Sequence, residues 1–224
     1  MKVFIVMYNR LATARKLAEF LTNTGCEVIL IDNKSTYPPL LEWYKQCPYK
    51  VHMLEHNYRE RAFWDSKLFE EYKDEYYIVT DPDLDLTGIP LDYLEVLKHG
   101  LDNNKDIMKC GVSLRIDDLP INTYTREIKN FEGKYWVNKD KVGNWVAGVD
   151  TTFAMYDRKR QGKGWGDGDR FYQATRLPQP YTARHVPWYM NEESLIKSSE
   201  ELYYHKNCNN QWASIFKREF KITL

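Results

Sequence analysis

Short apolar runs alternate with helical patterns along the first hundred residues. Four runs predict buried strands, and they span residues 3–7, 28–31, 51–54 and 76–80. Helical patterns predict helices over 10–24, 40–46, 62–72 and 90–99, with Gly25 ending the first of them. Repeated strand–helix units of this kind indicate an α/β fold with a mostly parallel sheet covered by helices.

The second half of the chain is less regular. Strands are predicted at 106–112, 146–149 and 152–156, and helices at 123–131, 192–204 and 211–220. Glycine occupies every second position from Gly162 to Gly168, a pattern typical of a mobile loop. Since no internal repeat or low-complexity stretch divides the 224 residues, a single domain is expected.

Polar residues follow each of the first four predicted strands. In open α/β sheets ligands bind outside the carboxyl ends of the strands. The four polar clusters are therefore expected along one edge of the sheet, facing one crevice. They are Asn9-Arg10, Asp32-Asn33, Asn57-Tyr58-Arg59-Glu60-Arg61 and Asp81-Pro82-Asp83.

The last of these clusters points to a divalent cation. Pro82 ends the strand and favours an extended conformation at Asp81. Residues two apart in an extended chain point the same way, so Asp81 and Asp83 should project together. Two carboxylates suit Mg²⁺ or Mn²⁺ when phosphate oxygens and water complete the coordination.

Composition and charge exclude several classes of protein. Hydrophobic residues make up 43% and charged residues 29%, which favours a globular domain. The formal net charge is zero, so a nucleic-acid binder that relies on bulk positive charge is not expected. No apolar run is long enough to span a membrane, and the four cysteines form no CxxC pair, which leaves zinc unsupported. A cytoplasmic protein with reduced thiols is expected.

Taken together, these motifs resemble those of GT-A glycosyltransferases close to family 2. The resemblance covers most of residues 1–190, and no GxxxxGK[ST] or GxGxxG loop points to a P-loop or Rossmann protein instead. The segments that carry it are Tyr8-Asn9-Arg10, the turn Ile31-Asp32-Asn33-Lys34-Ser35-Thr36, Asp81-Pro82-Asp83, Gly148-Val149-Asp150-Thr151-Thr152, and Ala183-Arg184-His185-Val186-Pro187-Trp188-Tyr189.

The resemblance implies a GT-A fold and a metal-dependent transferase. Such an enzyme moves a sugar, of the hexosyl or deoxyhexosyl class, from a nucleotide-sugar, most often UDP-linked, to a glycan or glycoside acceptor, here with inversion. Mn²⁺ or Mg²⁺ would bind the diphosphate. Residues 1–100 would form the nucleotide-binding half, 101–190 the acceptor half and 191–224 the C-terminal helices.

The resemblance also suggests roles for individual residues around the donor. Asp83 would be the main metal ligand, Asp81 would contact the metal or the ribose, and His185 would be a late metal or diphosphate ligand. The other proposed donor contacts are Asp32 for uridine or ribose, Tyr8 and Asn9 for the base, and Arg184 beside His185. For Asp32 and His185 an ordinary structural role, as a turn residue or a hydrogen-bonding histidine, stays open.

Two arginines follow the third predicted strand. Arg59 and Arg61 offer cations that can reach base or phosphate oxygens, with Arg61 preferred. The alternative for each is a surface salt bridge with Glu55 or Glu60.

Inverting transfer needs a carboxylate that takes the proton of the acceptor hydroxyl, which accelerates such reactions by roughly 10²–10⁴. Asp150 is the candidate because it lies between two apolar runs. Asp167 and Asp169 are its rivals, since Gly164-Trp165-Gly166-Asp167-Gly168-Asp169 resembles an acidic motif after a Gly-Trp-Gly-like loop, here with a glycine between the acids.

Two other functions remain open from the residues. A sugar nucleotidyltransferase would share the strands and the metal, but it usually carries a glycine- and arginine-rich loop after the first strand, unlike Tyr8-Asn9-Arg10-Leu11-Ala12-Thr13. A non-catalytic domain that binds a glycan or a partner is the third possibility, which the intact Asp81/Asp83 pair disfavours.

Overall fold

Strands in parallel order build the first half of the sheet. The computed structural model describes residues 1–149, 152–161, 169–208 and 211–220. Its first strands are β1 (Lys2–Met7), β2 (Glu27–Asp32), β3 (Lys50–Met53) and β4 (Tyr76–Thr80), as predicted to within one or two residues. They lie in the order β3-β2-β1-β4 and every neighbouring pair is parallel.

Hydrophobic cores form on both faces of this sheet. Successive side chains of a strand point to opposite faces, so Val3, Ile5 and Met7 enter one core while Phe4 and Val6 enter the other. The helices of this half are α1 (Ala12–Asn23), α2 (Pro38–Tyr44), α3 (Ala62–Asp65), α4 (Leu68–Glu71) and α5 (Tyr93–Asn103). Burial on both faces explains why β1, β2 and β4 are almost continuously apolar. The edge strand β3 is exposed at both ends, so the prediction that it is buried is wrong.

The prediction of one helix over 62–72 is wrong. Lys67 has a left-handed backbone with φ of 68°, which ends α3 and separates it from α4. The hydroxyl of Ser66 donates to the carbonyl of Ala62, a local bond that competes with regular helix geometry. The helix predicted over 90–99 also begins later, at Tyr93, and continues to Asn103.

Antiparallel strands complete the sheet in the second half. They are β5 (Leu84–Asp85), β6 (Lys109–Leu114), β7 (Trp145–Val146), β8 (Ala154–Asp157) and β9 (Ala174–His185). The full order is β3-β2-β1-β4-β8-β6-β9-β5, with β7 pairing β9 as well. Strand β8 is antiparallel to β4 and β6, whereas β9 is parallel to β6.

The long strand β9 was missed from the sequence. It contains Pro178 and Pro180, and proline within a run argues against a strand because it has no N–H to donate. The sheet accommodates them through a shift of register: Val112 pairs with Leu177, but the next residue, Ser113, pairs with Thr182. The prolines thus lie where β9 leaves the ladder of β6.

Short helices cover the remaining part of the chain. They are α6 (Thr123–Glu132), α7 (Asp169–Tyr172), α8 (Glu192–Lys197), α9 (Ser199–Asn207) and α10 (Gln211–Glu219). The single helix predicted over 192–204 is wrong, because Ser198 separates α8 from α9 and its hydroxyl accepts from the backbone N–H of Glu201 at 3.2 Å. Phe216 of α10 packs against Tyr124 of α6 with ring centroids 5.1 Å apart.

This arrangement confirms the predicted α/β class, with a mostly parallel sheet flanked by helices. Every helix in the described ranges is too short or too polar to cross a bilayer.

Two glycines give opposite predictions for stability. A Cβ at Gly100 of α5 would lie 2.6 Å from Sγ of the fully buried Cys110, so Gly100→Ala should overpack the core. We expect a net loss of about 1 kcal/mol in the free energy of unfolding, despite the better helix propensity of alanine. Gly133 has helical dihedrals and no atom within 4 Å of the added methyl, so Gly133→Ala should stabilise by about 0.5 kcal/mol. Urea unfolding of both variants measures the difference, and equal stabilities would contradict the packing argument.

Candidate active site

A polar cleft lies at the carboxyl ends of the parallel strands. All four loops that follow β1, β2, β3 and β4 contribute to it, which confirms the prediction that the four polar clusters meet at one edge. Its volume is about 820 Å³. The lining residues are Val6, Tyr8, Arg10, Asn33, Asn57, Arg59, Glu60, Asp81, Pro82, Asp83, His185, Tyr204, Asn207 and Cys208.

Arg10 and Asp83 form a buried ion pair that lines this cleft. Nε of Arg10 lies 3.2 Å from Oδ2 of Asp83, and Nη1 donates to Oε1 of Glu201. The guanidinium also lies 3.8 Å from the ring centroid of Tyr204. Burial opposes the charge of Arg10, but the two carboxylates outweigh it and raise the pKa of Arg10. Arg10 is therefore a permanent cation here.

His185 reaches the same carboxylate from the other half of the chain. The last residues of β9 pair antiparallel with β5, and this register places His185 opposite Leu84. As a result, Nε2 of His185 lies 3.5 Å from Oδ1 of Asp83. The imidazole also packs against Trp188, with ring centroids 4.8 Å apart.

The geometry around Asp83 fits a divalent cation that takes part of its coordination from a ligand. Oδ1 of Asp83 is buried and accepts no hydrogen bond from the described residues, and it faces Nε2 of His185. Asp81 lines the same cleft. No group of three or more His, Cys, Asp or Glu side chains among the described residues is arranged to hold a metal alone. Mg²⁺ and Mn²⁺ in phosphate sites need only one or two protein carboxylates.

Asn9 and Asp32 build loops and are absent from the residues that line the cleft. Oδ1 of Asn9 accepts from the backbone N–H groups of Thr36 and Tyr37 at 2.7 and 2.9 Å. The carboxylate of Asp32 accepts from the N–H of Ser35 at 2.8 Å and from the Tyr44 hydroxyl at 2.7 Å. These bonds hold the turn after β2 in place.

Their neighbours in sequence lie in the cleft instead. Arg10 follows Asn9 and Asn33 follows Asp32. The amide of Asn33 joins the turn after β2 to the turn after β3, since Nδ2 donates to the carbonyl of Arg59 at 2.9 Å and Oδ1 accepts from the N–H of Tyr58 at 2.7 Å. Asn33 thereby holds in place the turn that carries Arg59.

Of the remaining residues predicted to contact a nucleotide-sugar, two line the cleft and two do not. Tyr8 and Arg59 line the cleft, with the Tyr8 hydroxyl donating to the carbonyl of Asn207 at 3.2 Å. Arg61 instead pairs with Asp65 at 3.1 Å, a different partner from the two glutamates considered as alternatives. Arg184 donates two hydrogen bonds, of 2.8 and 2.6 Å, to Oδ2 of Asp118 outside the cleft.

Helix α9 and the residue that follows it supply residues that the sequence did not point to. Tyr204, Asn207 and Cys208 line the cleft, and Glu201 holds Arg10. The pattern of α9 shows only a short polar helix with no motif. The adjacent glutamates Glu200 and Glu201 are visible in the sequence. Their burial, which marks them as unusual, is visible only in the structure.

A second, smaller cleft adjoins the first. It has a volume of about 340 Å³, and Asp81 and His185 line both clefts. Arg176 is buried in it, pairs with Glu132, donates to the carbonyl of Gly148 and lies 4.3 Å from the ring centroid of Tyr135. The other lining residues are Leu114, Phe131, Thr152, Tyr172 and Trp188.

The three candidates for the catalytic base stay predictions. Asp150 and Asp167 lie outside the described residues. Asp169 is exposed at the start of α7 and does not line either cleft. Gly148 and Thr152 line the second cleft.

Comparisons with known proteins give only distant structural similarity. No protein-family model matches the chain. No curated protein matches it either. Among solved structures, TarS of S. aureus is similar at a TM-score of 0.46 and 12% identity over 96% of this chain and 41% of TarS.

Two further structures were determined with a ligand. TarS 1–349 of S. aureus in complex with UDP has a TM-score of 0.40 and 13% identity, over 96% of this chain and 68% of that one. Glucosyl-3-phosphoglycerate synthase from Mycobacterium tuberculosis in complex with phosphoglyceric acid has a TM-score of 0.43 and 11% identity, over 70% and 56%. With TM-scores below 0.5, these similarities carry no information about function.

Proposed function

We propose that the protein is a metal-dependent glycosyltransferase of the GT-A type, which transfers a sugar from a nucleotide-sugar, UDP-linked, to a glycan or glycoside with inversion. The observation that carries this proposal is the position of Asp81 and His185 between two adjoining clefts. Transfer between two substrates needs a polar site for the diphosphate, a separate acceptor site and a shared boundary where the bond changes.

The larger cleft, which we call the donor-side cleft, has the properties that a nucleotide diphosphate requires. Its volume of about 820 Å³ lies within the range of small-molecule sites, roughly 300–1,000 Å³. Arg59 is exposed in the cleft and offers a cation to phosphate oxygens, and Tyr8 offers a ring for the base. Asp83, with Asp81 and His185, would hold Mn²⁺ or Mg²⁺, which when bound neutralises the charge developing on the departing diphosphate.

The second cleft, which we call the acceptor-side cleft, has the properties of a sugar acceptor site. Phe131, Tyr135, Tyr172 and Trp188 provide apolar ring surface, on which the CH faces of a sugar can pack. The charge of Arg176 is already neutralised by Glu132, so this cleft offers no unpaired arginine to an anionic acceptor. A neutral glycan or glycoside fits these walls better than a phosphorylated one.

For the proton transfer we retain Asp150 as the proposed base, with Asp167 and Asp169 as rivals. A carboxylate at the boundary of the two clefts would accept the proton of the acceptor hydroxyl as the new bond forms. The two described residues nearest to Asp150 on its two sides, Val149 and Thr152, are both buried, and Thr152 lines the acceptor-side cleft.

UDP is expected to raise the melting temperature only when Mn²⁺ or Mg²⁺ is present. At a ligand concentration of a hundred times Kd the native state gains about 2.7 kcal/mol. For a domain of this size that gain corresponds to roughly 5–10 °C. Differential scanning fluorimetry with UDP and Mn²⁺, compared with UDP and EDTA, measures the effect. Equal shifts in both conditions would remove the metal from the proposal, and no shift in either would remove UDP.

A further inference from the structure

Arg10 is shared between two carboxylates that are far apart in the sequence. Asp83 follows β4, whereas Glu201 lies on α9, 191 residues after Arg10. All three side chains are buried, with relative exposures of 1% for Arg10, 7% for Asp83 and 6% for Glu201. Water therefore screens the charges in this cluster only weakly.

The charges of the cluster do not cancel. Arg10 contributes one positive charge, while the ionised Asp83 and Glu201 contribute two negative charges. Burial raises the pKa of Glu201 above its ordinary value and the adjacent Arg10 opposes that shift, so the charges are counted at pH 8, well above the ordinary range of a carboxyl group. His205 lies 3.8 Å from Glu201, but burial and the nearby Arg10 lower the pKa of His205 to about 4, so it is neutral at pH 7 to 8. One negative charge is left over. It is available at Asp83, whose Oδ1 opens toward His185 and accepts no hydrogen bond from the described residues.

The position of Glu201 is fixed from both sides. Its backbone N–H is capped by the Ser198 hydroxyl at the start of α9. The preceding residue, Glu200, accepts hydrogen bonds of 3.0 and 3.1 Å from the backbone N–H of Ala12 at the start of α1. Tyr204, one turn later, covers the face of the Arg10 guanidinium. Helix α9 is thus attached to the same loop that carries Arg10.

We propose that Glu201 is a positioning residue for the cation site: it draws the charge of Arg10 away from Asp83, so that Asp83 keeps the negative charge with which it binds a divalent cation. Without Glu201, Arg10 would neutralise Asp83 alone and the cluster would carry no net charge. This inference rests on the proposed function, because it concerns the cation that assists UDP binding there.

The test measures the affinity of the protein for Mn²⁺ at pH 8 in the presence of saturating UDP. Titration of the protein with Mn²⁺, monitored through the EPR signal of the free ion, gives this affinity. Glu201→Gln keeps the size of the side chain and removes its charge. We expect Mn²⁺ affinity to fall roughly tenfold or more, as removal of one weakly screened charge from the cluster requires. Glu201→Asp keeps the charge, and we expect it to retain most of the affinity.

Glu200→Gln is the matched control. It is the same substitution at the neighbouring buried residue, whose carboxylate caps α1, whereas that of Glu201 pairs with Arg10. We expect Mn²⁺ affinity to be unchanged in this variant. Thermal unfolding of all three variants shows which of them fold. If Glu201→Gln does not, Glu201→Met, a neutral side chain of similar length, takes its place: lost affinity in Glu201→Met with affinity kept in Glu201→Asp supports the proposal, and equal affinity in the two overturns it.

The outcomes separate this inference from the function on which it rests. If the unmodified protein binds no Mn²⁺ with UDP, the metal part of the proposed function fails. If it binds Mn²⁺ and both glutamine variants bind equally well, the function stands and the role of Glu201 is refuted. A parallel loss in both glutamine variants would also refute it, because a general disturbance of α9 would then explain the result.

Discussion

Replacing Asp83 by asparagine is expected to abolish the dependence of UDP binding on Mn²⁺ and to lower sugar transfer about a thousandfold. The amide is close in size to the carboxylate, and Arg10 keeps Glu201 as its partner, so the fold should survive. On the proposed function the loss would come from the cation, since a bound metal stabilises a developing negative charge by several kcal/mol. Thermal shifts with UDP, with and without Mn²⁺, and a transfer assay measure the two effects.

Asp85→Asn is the control for this substitution. Asp85 is two residues further along, and its Oδ1 accepts from the backbone N–H of Thr87 at 2.9 Å. Asp85 does not line the donor-side cleft. We expect this variant to keep both UDP–Mn²⁺ synergy and transfer. An Asp83→Asn protein that still shows the synergy would place the cation elsewhere.

Replacing Arg10 by methionine is expected to destabilise the protein by about 3–5 kcal/mol, which corresponds to a fall of roughly 10 °C in melting temperature. Methionine fills much of the space but leaves the buried carboxylates of Asp83 and Glu201 without the counter-charge that they share. Two unpaired buried carboxylates are the main cause of the loss, because the desolvation of each is no longer compensated. Urea unfolding at pH 8 measures it.

Removal of the stranded charges should restore stability. The triple variant Arg10→Met, Glu201→Gln, Asp83→Asn carries no buried ion in the cluster, so we expect it to recover much of the stability lost by Arg10→Met. Arg10→Lys keeps the charge but contacts fewer acceptors, and an intermediate stability is expected. An Arg10→Met protein that is as stable as the unmodified chain would show that the carboxylates take up protons or water at little cost.

The first four strands and the edge where the site lies could be predicted from local pattern. A short, continuous apolar run predicts a strand that is buried on both faces. Parallel strands place their carboxyl ends at one edge of the sheet, where ligands bind. For this reason Asp81, Asp83, Tyr8 and Arg59 were found in the cleft as expected.

Within each polar cluster the choice of residue was less predictable. Asn9 and Asp32 carry short side chains that bond well to nearby backbone N–H groups, and they are used for turns. Their longer or differently directed neighbours, Arg10 and Asn33, face the cleft. A sequence pattern locates a turn to within a residue. It does not show which side chain bonds to the backbone of the turn and which one faces the cleft.

The class of fold, the parallel half of the sheet and the position of Asp81 and Asp83 after β4 follow from local sequence, because each depends on periodicity and on the chemistry of a few adjacent residues. Two features come from the packing of the whole chain: the end of β9 pairs with β5 and brings His185 to Asp83, and α9 returns to hold Arg10. These contacts join residues about one hundred to two hundred positions apart. They arise from packing and burial of the whole chain, and no local pattern encodes them.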